Sequence, residues 1–205
     1  MTSRRPLLAG LGLLLAGSVL FAQPLPQPLV VVLIGPPASG KSTQAQYLNK
    51  KYKIPIIAIE DLVAEKLGRR QAGMDLKRND PALDGLLRKH LEKMDLSRGF
   101  ALDGYPATRA QAEYLGKLVR EFKLPNPIVM QIHVPDRVAH QRSVKRGGRD
   151  DDPGIIAKRL REYHKEMDML RSYYPEADIW TIDGTRPPKG VSATVRLLIQ
   201  DRLEQ

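Results

Sequence analysis

The chain has 205 residues, 42% hydrophobic and 27% charged, enough apolar material for one well-filled core. It has no cysteine, which excludes disulfides, thiolate nucleophiles and cysteine zinc sites, and its four histidines (His90, His133, His140, His164) stand at no metal-ligand spacing. A formal net charge of +10 draws anionic partners in general, whereas 5% aromatic content argues against a stacking platform for single strands, so no nucleic-acid partner is expected.

The first predicted feature is the stretch MTSRRPLLAGLGLLLAGSVLFAQPLPQP. Residues 1–22 read as an export signal, with a basic start at Arg4 and Arg5 and an apolar run over 7–22; residues 23–28 form a Pro/Gln-rich spacer. SRRPLL resembles the twin-arginine pattern. The apolar run falls short of the roughly 20 residues that cross a bilayer and carries Gly10, Gly12 and Gly17, so no stable membrane span is expected. The protein is then exported or periplasmic; an uncleaved anchor and a mis-assigned start, which would leave it cytoplasmic, are the alternatives.

From residue 29 on, short β-rich apolar runs bounded by Gly, Pro or Asp predict buried strands over 29–34, 54–59, 99–103, 127–134 and 178–183. Amphipathic stretches between them predict helices over 43–52, 82–95, 109–122, 136–146, 155–172 and 191–203. Strands alternating with helices make an α/β fold: a five-stranded parallel sheet with helices on both faces, three layers in all. The polar, glycine-bearing piece over 67–80 suits a mobile excursion from the sheet rather than a second domain. One domain over 29–205 is expected, and a monomer.

Chemistry enters at GPPASGKSTQ, residues 35–44, which fits G-x-x-x-x-G-K-[ST] through Gly35, Gly40, Lys41 and Ser42, after a strand and at the head of a helix. Glycines let backbone N–H groups converge on phosphate oxygens, and the helix N-terminus adds partial positive charge. The loop, with Ala38 and Ser39, is the expected cradle for the phosphates of ATP. Lys41 is placed to reach the β- and γ-phosphates, and Ser42 or Thr43 a Mg2+ ion. The strand over 99–103 ends at Asp103, where a P-loop protein holds its magnesium through a carboxylate.

With GFALDGYPATRAQAEYL over 99–115, the sequence resembles the adenylate kinase and nucleoside monophosphate kinase family, whose two loops read GPPGAGKGTQ and GFxLDGFPRTxxQAxxL. The likeness continues through VPDRVAHQRSVKRGGRDDDPGIIAKRLREY over 134–163, similar to the family's arginine-rich lid in its short form, and ends near TIDGT over 181–185. It implies a kinase that uses ATP and Mg2+, with a small acceptor-binding helical excursion. Arg142 matches the arginine that lies against adenine, Arg146 one that grips the ATP phosphates, and Arg149 and Arg159 two that neutralise the transferring phosphoryl group. The Arg142 and Arg146 spacing puts both on one helix face. Asp61, Gly104, Tyr105 and Gln111 fall on the acceptor side, Gln111 matching the glutamine that hydrogen-bonds the acceptor's base.

The departures from the family pattern cluster on the acceptor. ISTGDLLR reads IAIEDLVA here, and GFPRT reads GYPAT, so both arginines that clamp the acceptor phosphate become Ala64 and Ala107. Arg69, Arg70, Arg78, Arg88 and Arg109 lie in the same region of the sequence as candidate substitutes. Three readings stay open at this point: transfer of the γ-phosphoryl group of ATP to a nucleoside monophosphate, AMP first; transfer to another small acceptor; and an exported or membrane-associated nucleotide-binding module with little transfer.

Overall fold

The computed structural model describes residues 25–67, 81–147, 152–175 and 178–204. The export-signal segment, most of the 67–80 excursion and Arg149 therefore lie outside the described residues. In chain order the described elements are β1 (Leu29–Ile34), α1 (Lys41–Tyr52), β2 (Ile56–Ala58), α2 (Ile59–Leu67) and α3 (Pro81–Leu91), followed by β3 (Gly99–Asp103) and α4 (Arg109–Glu121). Next come β4 (Ile128–His133), α5 (Asp136–Arg146), α6 (Pro153–Arg171), β5 (Ile179–Asp183) and α7 (Pro188–Glu204).

The five strands pair in the order β2-β3-β1-β4-β5, every pair parallel, as the alternation of strands and crossover helices requires. β1 is the central strand and all six of its residues are buried, which is why LVVVLI reads as an unbroken apolar run rather than an alternating one. Its alternate residues feed two cores. Val30 and Val32 join Phe100, Leu102, Leu115, Leu118, Tyr163 and Met167 under α2, α3, α4 and α6. Leu29, Val31 and Leu33 join Met130, Ile132, Leu48, Val195 and Ile199 under α1 and α7. A third cluster of Val134, Ala139, Ile156 and Leu160 packs α5 against α6. Each fully buried aliphatic side chain here contributes about 1.5–3 kcal/mol relative to exposure. Leu25, inside the proline-rich spacer, is packed against the α1 and α7 core.

Helix ends follow local chemistry. The Thr108 hydroxyl accepts from the Gln111 N–H to cap α4, and the Asp152 carboxylate accepts from the Gly154 and Ile155 N–H groups to cap α6, ahead of Pro153 at its first turn. Gly147, at φ 67, closes α5 in the left-handed region.

One segment departs from the sequence expectation. The strand predicted over 54–59 pairs only at residues 56–58, whose partners Ala101, Leu102 and Asp103 are the last three of β3. Beyond the end of the sheet the chain turns into α2, which the sequence reading did not contain. Ile59, Leu62 and Val63 are its buried face, and Glu60 and Asp61 complement the positive end of its dipole. No helix among the described residues is long and apolar enough to cross a membrane.

Candidate active site

The site sits at the C-terminal edge of the sheet, above β1 and β3, where the chain order reverses direction across β1. After Ile34 the chain passes through Gly35–Gly40 into α1. A side chain at Gly35 would meet the Ile132 carbonyl oxygen at 2.5 Å, so only glycine lets the loop lie on β4. Gly40 stands at φ 102 and caps α1 without a side chain, and the first turn of α1 holds no acid. Its N–H groups and helix dipole are therefore available to an anion. Ala38 is also left-handed, at φ 56. Ser39 is buried, its N–H donating to the Pro36 carbonyl at 3.2 Å.

Lys41, the first residue of α1, donates from Nζ to the carbonyls of Gly35 (2.7 Å) and Pro36 (3.1 Å), which lays its ammonium along the loop. Ser42 Oγ donates to Asp103 Oδ2 at 3.0 Å. The parallel register Leu33↔Asp103 explains this meeting, since it carries the end of β3 to the level where the loop leaves β1. Thr43 is exposed on the same first turn. A hydroxyl and a carboxylate side by side are the hard oxygen donors that Mg2+ takes, and the described residues hold no cluster of three His, Cys, Asp or Glu suited to an all-protein metal cage. Mg2+ held by one carboxylate, one hydroxyl, water and substrate phosphates fits this donor set.

Beside that pair a cavity of about 380 Å³ opens between α1, β2 and α2, with Gln46, Asp61, Glu65 and His90 on its walls together with Ser42 and Asp103. Asp61 thus lines the same cavity as Ser42 and Asp103. Gln46, Glu65 and His90 were not named as site residues from the sequence, because nothing local marks which residues of separate helices line one cavity.

The turn after β3 is built inward. Gly104 is at φ 86, and a side chain there would come within 3.1 Å of Ile59. Tyr105 is 1% exposed and its hydroxyl donates to Asp84 Oδ1 at 2.7 Å, tying the turn to α3. Burial, then the Asp84 carboxylate, pushes the Tyr105 hydroxyl pKa far up, while burial raises that of Asp84 against the lowering effect of the bond. Gln111 is 2% exposed and its Oε1 accepts the Ala107 N–H at 2.8 Å. Tyr105 and Gln111 therefore hold the turn from beneath, with their polar ends committed to the turn and to α3.

On the opposite flank Arg142 Nη1 donates to the Gly184 carbonyl at 2.9 Å and Nη2 to that of Thr185 at 3.4 Å. Gly184 earns that position: a Cβ there would meet Ile132 and Val134 at 2.8 and 2.9 Å. Asp183 Oδ1 accepts from the Thr185 N–H (2.9 Å) and hydroxyl (2.6 Å), and these bonds lower the Asp183 pKa. The Asp183–Thr185 loop was not assigned to the site from the sequence, although an Asp-Gly-Thr turn directly after a strand is a recognisable signal. Arg146 ends α5 one turn beyond Arg142, and Arg159 lies half-buried on α6.

Two of the candidate substitutes for the acceptor clamp are engaged elsewhere. Arg88 bonds Glu92 Oε1 at 3.0 Å and both carboxylate oxygens of Glu121. Arg109 bonds Glu113 at 2.9 Å and the Ser172 carbonyl at 3.0 Å. Both chains lie along outer helix surfaces, where acids at i+4 and on neighbouring helices hold them. Arg69, Arg70 and Arg78 are outside the described residues.

A family model described as adenylate kinase matches residues 33–179. Among curated proteins, an adenylate kinase of Cyanothece sp. is 35% identical over 183 residues, 82% of this chain and 94% of that protein. One of Corynebacterium urealyticum is 34% identical over 171 residues (79% and 94%), and one of Mesorhizobium japonicum 32% over 174 residues (75% and 88%).

Proposed function

Since the chain belongs to the adenylate kinase family, we propose that it is an ATP-dependent nucleoside monophosphate kinase which moves the γ-phosphoryl group of ATP to AMP. The bond between the γ-phosphorus and its bridging oxygen breaks, the AMP phosphate oxygen forms a new bond to that phosphorus, and two molecules of ADP result. The observation that carries this reading is the convergence of Lys41, Ser42 and Asp103 at the uncapped head of α1.

Little covalent work falls to the protein in such a transfer; it must position two anions and neutralise charge as it spreads. Gly35, Ala38, Ser39 and Gly40 form the cradle, Lys41 swings from the loop carbonyls to the β- and γ-oxygens, and Thr43 stands ready on the first turn. Ser42 and Asp103 would hold Mg2+, which would supply neutralisation of phosphate charge. Arg142, its planar guanidinium anchored to the Gly184 and Thr185 carbonyls, supports the adenine; Arg146, Arg149 and Arg159 act on the transferring group. Asp61, Gly104, Tyr105 and Gln111 bound the acceptor side. Lys41→Ala should abolish transfer in an assay with ATP, AMP and Mg2+ while leaving the fold intact, since it removes charge at the phosphates and no core volume. Retention of more than about a tenth of the parent activity would count against the assignment.

Residues 1–22 are assigned as an export signal, 23–28 as a spacer and 29–205 as the kinase domain, a monomer working outside the cytoplasm. The basic and apolar pattern of the first residues supports this. A fusion of the first 30 or so residues to a reporter should leave the cytoplasm, and a reporter retained there uncleaved would place the enzyme inside.

A further inference from the structure

We propose that Asp84 is a positioning residue for the acceptor: its bond to Tyr105 ties α3 to the turn after β3 and sets a wall of the cavity before the acceptor arrives. This rests on the reading of the site as a nucleoside monophosphate kinase. The Tyr105 hydroxyl donates to Asp84 Oδ1 at 2.7 Å and stands 3.3 Å from the Gln111 carbonyl oxygen, so the turn, α3 and α4 meet at one group. A separation of 2.7 Å suits a hydroxyl donating to an ionised carboxylate, a bond roughly twice as strong as a neutral one. Tyr105 is buried, which shields the bond from water.

Both elements that this bond joins carry a residue of the cavity. His90, near the far end of α3, lines it together with Asp61, and so does Asp103, directly before the turn. How α3 is turned therefore sets where His90 stands relative to Asp103. Leu83, Leu87 and Leu91 bury α3, but apolar burial has no direction and does not by itself fix that turn. The pairing of Arg88 with Glu121 is half-exposed and contributes little. The bond from Tyr105 is both directional and shielded. It matters more here because the two positions of the acceptor clamp hold Ala64 and Ala107, so no cation at either draws the walls together around an arriving phosphate. A wall already in place lowers the ordering cost of binding. The family pattern GFPRT has phenylalanine where Tyr105 stands, so the hydroxyl is removable with the ring left in place.

The test compares the parent with Tyr105→Phe, Asp84→Ala and Asp84→Asn, in steady-state kinetics with ATP, AMP and Mg2+ and in hydrogen exchange of the free proteins. Tyr105→Phe and Asp84→Ala should each raise KM for AMP about tenfold and KM for ATP by less than about twofold. The double variant should go no further than either single one, since all three lose the same bond. Asparagine keeps an oxygen for the Tyr105 hydroxyl, so Asp84→Asn should stay within about threefold of the parent. In the free proteins the α3 amides should exchange about tenfold faster in the Phe and Ala variants, with α7 at the parent rate. If Asp84→Ala folds poorly, Tyr105→Phe carries the test. A lowered Tm with KM for AMP unchanged, or an equal rise in both KM values, would make the bond a fold contact only and overturn the proposal. Failure of the proposed function shows separately, as a parent with no transfer to AMP, whereas unchanged α3 exchange overturns the positioning role whatever the activity.

Discussion

Ser42 Oγ lies 3.0 Å from Asp103 Oδ2, across 61 residues of sequence, because parallel pairing of β1 with β3 ends both strands at one level. If this pair holds Mg2+, Asp103→Asn should lower kcat by about 100-fold or more and raise the Mg2+ concentration needed for half-maximal rate, whereas Ser42→Ala should cost about tenfold. A Mg2+ titration of the three proteins separates the cases, and an unshifted Asp103→Asn curve would remove the pair from the metal site.

Ala38 occupies φ 56, where the family's GPPGAGKGTQ has glycine. A Cβ in the left-handed region costs roughly 1 kcal/mol, so Ala38→Gly should raise Tm by about 2 °C with activity retained. Thermal unfolding of the two proteins checks this; an unchanged or lower Tm would show that the loop bears no strain there.

Arg142 and Arg159 should fail differently. Arg142 is fixed on the Gly184 and Thr185 carbonyls; if it lies against the base in ground and transition states alike, as proposed, Arg142→Ala should raise KM for ATP about tenfold. If Arg159 meets the charge that rearranges during transfer, as proposed, Arg159→Ala should mainly lower kcat, by about 100-fold. Identical kinetic profiles would undo this division of roles.

The acceptor clamp can be rebuilt at one position more readily than at the other. Ala64 is half-buried on α2, and Ala64→Arg should lower KM for AMP about tenfold, since a guanidinium meets phosphate bidentately. Ala107 is 2% exposed with its N–H bonded to Gln111, so Ala107→Arg should overpack the turn and destabilise by about 1–3 kcal/mol. Steady-state kinetics with AMP, CMP and UMP alongside urea unfolding reads both effects; no gain with any monophosphate from Ala64→Arg would contradict an unclamped phosphate subsite near α2.

Asp183 carries a pH signature. The Thr185 hydroxyl and N–H hold its folded pKa below the usual aspartate value, so its contribution is full above that value and is lost as the pH falls through the lowered one. The Tm difference between parent and Asp183→Asn should be largest near about pH 7 and shrink on acidification toward about pH 3. A difference that stays constant across that range would deny the loop its carboxylate anchor.

Most of the architecture was legible in the sequence because its signals are local. LVVVLI followed by GPPASGKS states a buried strand, a tight loop and a helix start within a dozen or so residues, and the end of an apolar run at Asp103 marks a carboxylate at a strand tip. The spacing of Arg142 and Arg146 declares a shared helix face. Tertiary structure decided the rest. The apolar run over 54–59 covers both a strand end and a helix start, and only the length of β3 sets where one becomes the other. Arg88 and Arg109 had the composition of an acceptor clamp, yet each long side chain is drawn to the nearest acids and carbonyl, on Glu121, Glu113 and Ser172, which only folding brings within reach. Gln111 is polar enough to meet a base, and folding gives its oxygen a task the sequence does not show: Oε1 accepts the buried Ala107 N–H, an amide that would otherwise go unpaired inside the turn.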